Sequence, residues 1–104
     1  MLLVYVFEVE DRAADGWASQ IAVLGDSAST ANRALRDAGL HKRQIQNQGR
    51  AVTTAPLQDE RFATLGEGRF MRRRLNDSGW TAWALVPAGE PLNWRLDPNA
   101  PITR

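Results

Sequence analysis

Cysteine is absent from this chain of 104 residues, and histidine occurs only once, at His41. The absence of cysteine excludes disulfide frameworks, thiolate metal sites and cysteine nucleophiles. It also fits a reducing compartment, so a cytoplasmic location is predicted. A single histidine and dispersed carboxylates give no spacing typical of a metal site. The sequence therefore predicts a protein without a metal or another cofactor.

Long hydrophobic runs are also missing. The apolar stretch at residues 1–7 is too short to span a bilayer, and it continues directly into an acidic segment at residues 8–11. We therefore predict neither a membrane span nor a signal peptide, and we interpret the stretch as a first β-strand. The length suits one hydrophobic core, which predicts a single domain over residues 1–97 and a polar tail over residues 98–104.

Lysine is almost absent, because Lys42 is its only representative among the 13 basic residues. The formal net charge of +1 gives the whole molecule no strong field that would attract polyanions. The planar guanidinium of arginine suits recognition of carboxylates and phosphates, although a GC-rich coding bias would produce the same composition. Four arginines fall within residues 69–74, so a local basic surface is expected despite the low net charge.

The first half of the chain has the pattern of a β-hairpin followed by a helix. Residues 2–9 and 17–24 are predicted strands, joined by an acidic loop. Asp26 or Ser27 can cap the helix that follows, because a side-chain oxygen there accepts hydrogen bonds from first-turn amides. Gly39 is placed to end the helix in a left-handed conformation.

The second half combines short strands with segments whose pattern fits more than one structure. Residues 67–79 favour a helix with outward arginines, and the alternative is a strand that turns at residues 76–79 to pair with the next one. Further strands are predicted at residues 50–54, 80–86 and 92–96, and a short helical stretch at residues 57–65. The expected fold class is α+β, with a mixed or antiparallel sheet of four to six strands. It opens β-β-α-β and carries two or three helices mainly on one face.

One segment has the form of a catalytic motif. Residues 21–27 end in Gly-Asp-Ser, and a strand that delivers these residues into a helix resembles the first sequence block of GDS-type (SGNH) ester hydrolases. The resemblance implies Ser27 as the nucleophile, which would need a general base. Only His41 could serve, and the family's Asp-x-x-His pattern is missing because Ala38 stands three residues before it. A helix cap at Ser27 is favoured, so no catalytic residue is predicted.

Tryptophans and arginines predict the functional surface. Trp80 and Trp83 lie three residues apart on one predicted strand, so they are expected on opposite faces of the sheet. A sheet that is apolar on both faces and has few helices implies a protein partner or a second copy. We predict a small non-catalytic interaction protein, such as an accessory subunit, an antitoxin-like factor or an inhibitor. The predicted interaction residues are Arg69, Arg72, Arg73, Trp80, Trp83, Trp94 and Trp17.

Nucleic-acid binding is the alternative function. If the segment at residues 67–79 is a helix, its arginines could form one basic stripe with those of the first helix. The simpler interpretation of the same residues is a solvated helix face. The residues of this predicted stripe are Arg33, Arg36, Lys42, Arg43, Arg69, Arg72, Arg73 and Arg74.

Overall fold

A computed structural model of the chain describes residues 2–10, 18–40, 44–76, 79–89 and 92. These residues form an antiparallel sheet of six strands and one α-helix. In chain order the elements are β1 (Leu3–Glu10), β2 (Ala18–Gly25), α1 (Ala28–Asp37), β3 (Thr53–Ala55), β4 (Phe70–Asn76), β5 (Gly79–Trp80) and β6 (Ala84–Leu85). Two short 3₁₀ turns lie at Asn47–Gly49 and Glu60–Phe62.

The long β1–β2 hairpin is the centre of the sheet. The two strands pair along their whole length, from Leu3 opposite Gly25 to Glu10 opposite Ala18. The strand order is β3-β1-β2-β4-β5, and β6 also pairs with β4. The α+β class is therefore confirmed, but the helix count and the strand order differ from the prediction.

The segment for which a second helix was favoured is strand β4, so the alternative prediction of a strand that pairs with the next one is confirmed. It pairs with β2 over five residues, from Ser19 opposite Arg74 to Val23 opposite Phe70. The helical spacing of its apolar residues was misleading, because pairing with a buried strand overrides local propensity. The predicted helical stretch at residues 57–65 contains only the 3₁₀ turn at Glu60–Phe62. The described part of the chain thus has one α-helix instead of two or three.

Residues 80–86 do not form the single buried strand that was predicted. They are divided between β5 and β6, which are two residues long and separated by residues 81–83. Both short strands pair with β4, through Leu75 opposite Trp80 and Met71 opposite Leu85. Both short strands run antiparallel to β4, but their register on it differs by one residue, so the period-two rule does not apply between Trp80 and Trp83.

Helix α1 has well-defined ends. The Ser27 hydroxyl accepts a hydrogen bond from the Thr30 amide at 3.2 Å, which confirms the predicted helix cap. At the other end, Gly39 has a positive φ of 115°, and the Leu40 amide donates to the Leu35 carbonyl at 3.2 Å. This six-to-one bond is typical of a Schellman motif.

The helix packs closely on the sheet at Gly25. A Cβ atom added there would lie 3.1 Å from the Cβ of Ala31, which is tighter than ordinary contact. Glycine at the end of β2 therefore allows the first turn of α1 to approach the sheet. The buried side chains of Ala31 and Leu35 complete the contact.

The sheet has two different apolar faces. On the first, which we call the helix face, α1 covers side chains of the central strands that include the fully buried Phe7 and Ile21. The second is centred on Val6, Ala22 and Met71 and is covered by the short segments around Phe62 and Trp83, including Leu65. Successive residues along each strand thus point to opposite faces and pack into two separate cores.

Several predicted features lie outside the described residues. Trp17, Lys42, Arg43 and Trp94 belong to this group, together with the tail at residues 98–104 and all of the predicted strand at residues 92–96 except Leu92. Leu92 is completely buried, and its amide donates to the carbonyl of Ala38 at 3.0 Å. Among the helices of the described segments, none is long and apolar enough to cross a membrane.

Candidate functional site

Arg73 on β4 lies against two tryptophan rings. Its Cζ atom is 4.5 Å from the ring centroid of Trp80 and 4.8 Å from that of Trp83. Both distances fall within the range of cation–π attraction. Because residues 81–83 interrupt the strand, the two indoles meet the same guanidinium. The prediction that they point to opposite faces is therefore wrong.

The stack continues onto the turn at Glu60–Phe62. The ring of Phe62 meets that of Trp83 edge to face, with centroids 5.0 Å apart. The Cζ of Arg61 lies 5.1 Å from the centroid of Phe62. Cations and aromatic rings therefore form one connected row, which we call the cation–π surface: Arg61, Phe62, Trp83, Arg73 and Trp80.

A row of polar groups crosses the central strands beside Arg73. Its Nε donates to the Gln20 side-chain oxygen at 2.9 Å, and the Gln20 amide nitrogen donates to a carboxylate oxygen of Glu8 at 3.3 Å. The register explains this row, since Glu8 is opposite Gln20 and Gln20 is opposite Arg73. The two terminal nitrogens of Arg73 make no hydrogen bond within the described residues. These two nitrogens can therefore donate a pair of parallel hydrogen bonds to an acceptor outside the domain.

Two positive charges lie near one another on this surface. Burial lowers the pKa of Arg73, and the charge of Arg61 lowers it further. Arg61 is itself paired with Asp59, through contacts of 2.8 Å and 3.1 Å. These hydrogen bonds lower the pKa of the Asp59 carboxyl and raise that of Arg61. Arg73 has no such carboxylate partner among the described residues, because Gln20 stands between it and Glu8.

Part of the surface is apolar and open. Trp80 and Leu75 are cross-strand partners, and each is 37% exposed. Cross-strand partners lie on the same side of a sheet, so the two form a small exposed apolar patch beside Arg73. The Nε1 of Trp83 is buried and has no acceptor within the described residues. A buried indole N–H without an acceptor destabilises a fold.

The other arginines of the segment at residues 69–74 lie elsewhere. Arg72 and Arg74 alternate with Arg73 and are opposite Ile21 and Ser19, which places them on the helix face. Arg69 precedes the strand and donates to the carbonyl of Val86 at 3.1 Å. Of the predicted interaction residues, the structure brings together Arg73, Trp80 and Trp83. The four arginines of this segment do not form one flank.

The helix side carries a second basic region. Arg36 lines a groove of about 670 Å³ between α1 and the turn at Asn47–Gly49. Arg50 lines the opposite wall. Arg33 is exposed on the same helix but does not line the groove. The predicted continuous basic stripe is thus divided between the helix side and the sheet.

The turn beside this groove has an unusual backbone. Asn47 and Gln48 both have a φ of 58°, and Gly49 follows with a φ of 78°. Left-handed backbone disfavours most residues with a Cβ, and each such residue costs on the order of 1 kcal/mol. The amide of Asn32 on α1 donates to the Gly49 carbonyl at 2.8 Å and holds the turn against the helix.

The geometry at Ser27 is that of a helix cap. Its hydroxyl binds the Thr30 amide and also lies 3.0 Å from the Thr30 hydroxyl. The only histidine of the chain, His41, lies outside the described residues. No cluster of potential metal ligands occurs within the residues that the structure describes.

Sequence reasoning missed two members of the cation–π surface, Arg61 and Phe62. It also missed the polar row beside Arg73, which is formed by Gln20 and Glu8. Once β4 is taken as a strand, Gln20 and Glu8 can be found from cross-strand register alone. Phe62 gives a weaker signal, because its contact with Trp83 depends on how a loop folds over the sheet.

Comparisons of the chain with protein-family models, with curated proteins and with solved structures found no match.

Proposed function

We propose that this domain is a non-catalytic binding module that docks an acidic partner protein through the cation–π surface. The observation that carries the proposal is the position of Arg73. Its guanidinium is held by two indoles and by Gln20, and its terminal nitrogens are left without a hydrogen bond in the described structure. Arginine and tryptophan are also the residue types that most often dominate the energy of protein interfaces.

The chemistry of the partner follows from the charges on the surface. Arg61 and Arg73 repel each other, and of the two only Arg61 has a carboxylate bound to it within the described part of the chain. A carboxylate from a partner would reduce this repulsion and could accept two parallel hydrogen bonds from Arg73. Because the stacking already restricts the guanidinium, little further side-chain entropy is lost on binding.

The apolar part of the surface supports a protein partner over a small anion. Trp80 and Leu75 are exposed next to the guanidinium, so an acidic residue bound there would have apolar neighbours on both molecules. Interfaces commonly combine a buried aromatic anchor with a polar rim. A second copy of this chain is the other possible occupant, and sedimentation of the purified protein tests it.

The direct experiment is an NMR titration of the full chain with a glutamate-rich peptide and a glutamine-rich peptide of the same length. We expect shifts at the indole N–H of Trp80 and at the Nε–H of Arg73 with the first peptide only. Arg73→Gln and Trp80→Ala should each remove the response. Trp83→Phe should keep most of it, because a smaller aromatic ring remains beside Arg73 and the indole N–H that is lost is buried.

Arg33→Gln is the matched control, since it removes one exposed arginine from the helix side. Equal weakening by Arg33→Gln and Arg73→Gln would mean that overall charge, and not this surface, drives binding. The proposal would also be overturned if neither peptide perturbs Trp80, or if sedimentation shows a dimer whose formation depends on the same residues.

Nucleic-acid binding remains a second candidate because Arg36 and Arg50 both line the groove beside α1. On duplex DNA its affinity should fall with salt at a log–log slope of about −0.9 per phosphate contact. A flat salt dependence, or no binding at low salt, would exclude it. The division of the arginines between two sides of the molecule is the reason that we place it second.

A further inference from the structure

The groove beside α1 is separate from the cation–π surface. The groove lies on the helix side of the sheet, and Phe62, Trp83 and Arg73 lie on the other side. Its volume of about 670 Å³ falls within the usual range for sites that hold small ligands. It is formed by one side of the helix and by the left-handed turn: Ala28, Ser29, Asn32, Arg36, Gln48, Gly49 and Arg50.

The charge of the groove selects the chemistry of a ligand. Its lining includes Arg36 and Arg50 and no carboxylate. Neither arginine makes an ion pair within the described residues. Two guanidinium groups on opposite walls of one groove can bind the oxygens of a single phosphate from two directions.

Three of the remaining lining residues, Ser29, Asn32 and Gln48, carry hydrogen-bonding side chains, and Ala28 and Gly49 do not. The amide nitrogen of Asn32 is bound to the Gly49 carbonyl. That bond leaves the side-chain oxygen of Asn32 as an acceptor. None of the lining residues is aromatic, so the groove offers no ring on which a nucleobase could stack. Donors and acceptors of this kind suit the hydroxyl groups of a sugar.

We infer that the groove between α1 and the turn at Asn47–Gly49 binds a sugar phosphate, with the phosphate between Arg36 and Arg50. The hydroxyls of the sugar then face Ser29, Asn32 and Gln48. The hydrogen bond from Asn32 to Gly49 connects the two walls, so the helix and the turn hold their spacing before the ligand arrives. A preorganised site of this kind loses less free energy on ligand ordering.

The test is calorimetric titration of the full chain with ribose 5-phosphate, inorganic phosphate and ribose. We expect ribose 5-phosphate to bind most tightly, inorganic phosphate to bind more weakly, and ribose to show no binding. Arg36→Gln and Arg50→Gln should each weaken ribose 5-phosphate binding roughly tenfold or more, since each removes charge-assisted hydrogen bonds. Circular dichroism checks that these surface variants remain folded.

Arg33→Gln is again the control, because Arg33 is exposed on the same helix outside the groove. It should change the affinity by no more than about twofold, since separated surface charges are screened by salt. An equal loss in Arg33→Gln, or no binding of ribose 5-phosphate at millimolar concentration, would overturn the inference. Binding of an oligonucleotide without binding of ribose 5-phosphate would also overturn it and would assign the arginines to nucleic-acid phosphates.

Discussion

The two faces of the sheet differ in what covers them. On the helix face, α1 lies over the central strands, and the side chains of Phe7, Ile21 and Leu35 are fully buried. On the opposite face no α-helix of the described chain is present, and the cover consists of a 3₁₀ turn and the segment around Trp83. There the outer layer includes the stacked arginine and aromatic side chains of the cation–π surface.

The difference shows how one sheet can support stability and recognition at the same time. The helix face is closed by apolar contacts, which are tight and intolerant of change. The cation–π surface is held by contacts that leave some groups available, such as the terminal nitrogens of Arg73 and the half-open ring of Trp80. We therefore expect substitutions on the helix face to act mainly on folding, and those at Arg73 and Trp80 to act on binding at a smaller cost in stability.

The largest effect should come from matched substitutions of phenylalanine. Phe7→Ala should destabilise the protein by about 3–5 kcal/mol, because it leaves a cavity beneath the helix. Phe62→Ala should cost about 2–3 kcal/mol, since the neighbouring Arg61 is exposed and can move into the space. Urea unfolding curves measure both. Equal losses would contradict the proposed difference between the faces.

A smaller effect is expected at Arg73. Arg73→Ala removes the cation–π contacts and the hydrogen bond to Gln20, for an expected loss of about 1–2 kcal/mol in unfolding free energy. Arg73→Lys should recover part of this loss through its charge but not the planar stacking. Arg33→Ala, on the exposed side of α1, should change stability by less than about 0.5 kcal/mol. If Arg73→Ala lowers the unfolding free energy no more than Arg33→Ala does, the contacts of Arg73 with the two indoles contribute nothing to the stability of the fold.

The smallest effect concerns Asp59 at the edge of the cation–π surface. Hydrogen bonds from Arg61 hold the pKa of Asp59 below its ordinary value of 3.8. The stabilisation is therefore present above that value and is lost as the pH falls through the lowered pKa. An NMR titration of Asp59 should show the lower midpoint, and Arg61→Gln should return it toward 3.8. An unchanged midpoint in that variant would show that the pair does not form in solution.

Much of the fold follows from local pattern. Strand β2 and the helix with its cap at Ser27 and its glycine end at Gly39 could be predicted because each depends on residues close in sequence. Strand β4 was predicted only as the alternative to a helix, because its arginines and apolar residues fit either a helical or an alternating period. Only pairing with β2 decides between the two, and that pairing is a tertiary event.

The site was predictable in its residue types but not in its geometry. Residue type alone pointed to Arg73, Trp80 and Trp83. Their contact with one another, however, depends on the interruption of the strand at residues 81–83. Prediction of one continuous strand placed the two indoles on opposite faces. The contribution of Phe62 requires a loop conformation that no periodicity encodes.

The hydrogen bond between Gln20 and Arg73 joins residues 53 positions apart in the sequence. Contacts of such long range form slowly, because a large loop must close before they stabilise anything. The β1–β2 hairpin and α1 are local and can form earlier. We therefore expect the bond that anchors Arg73 to β2 to form after these local elements. A partly unfolded chain would lack this anchor, so a partner that recognises the anchored guanidinium would distinguish the mature protein from its unfinished forms.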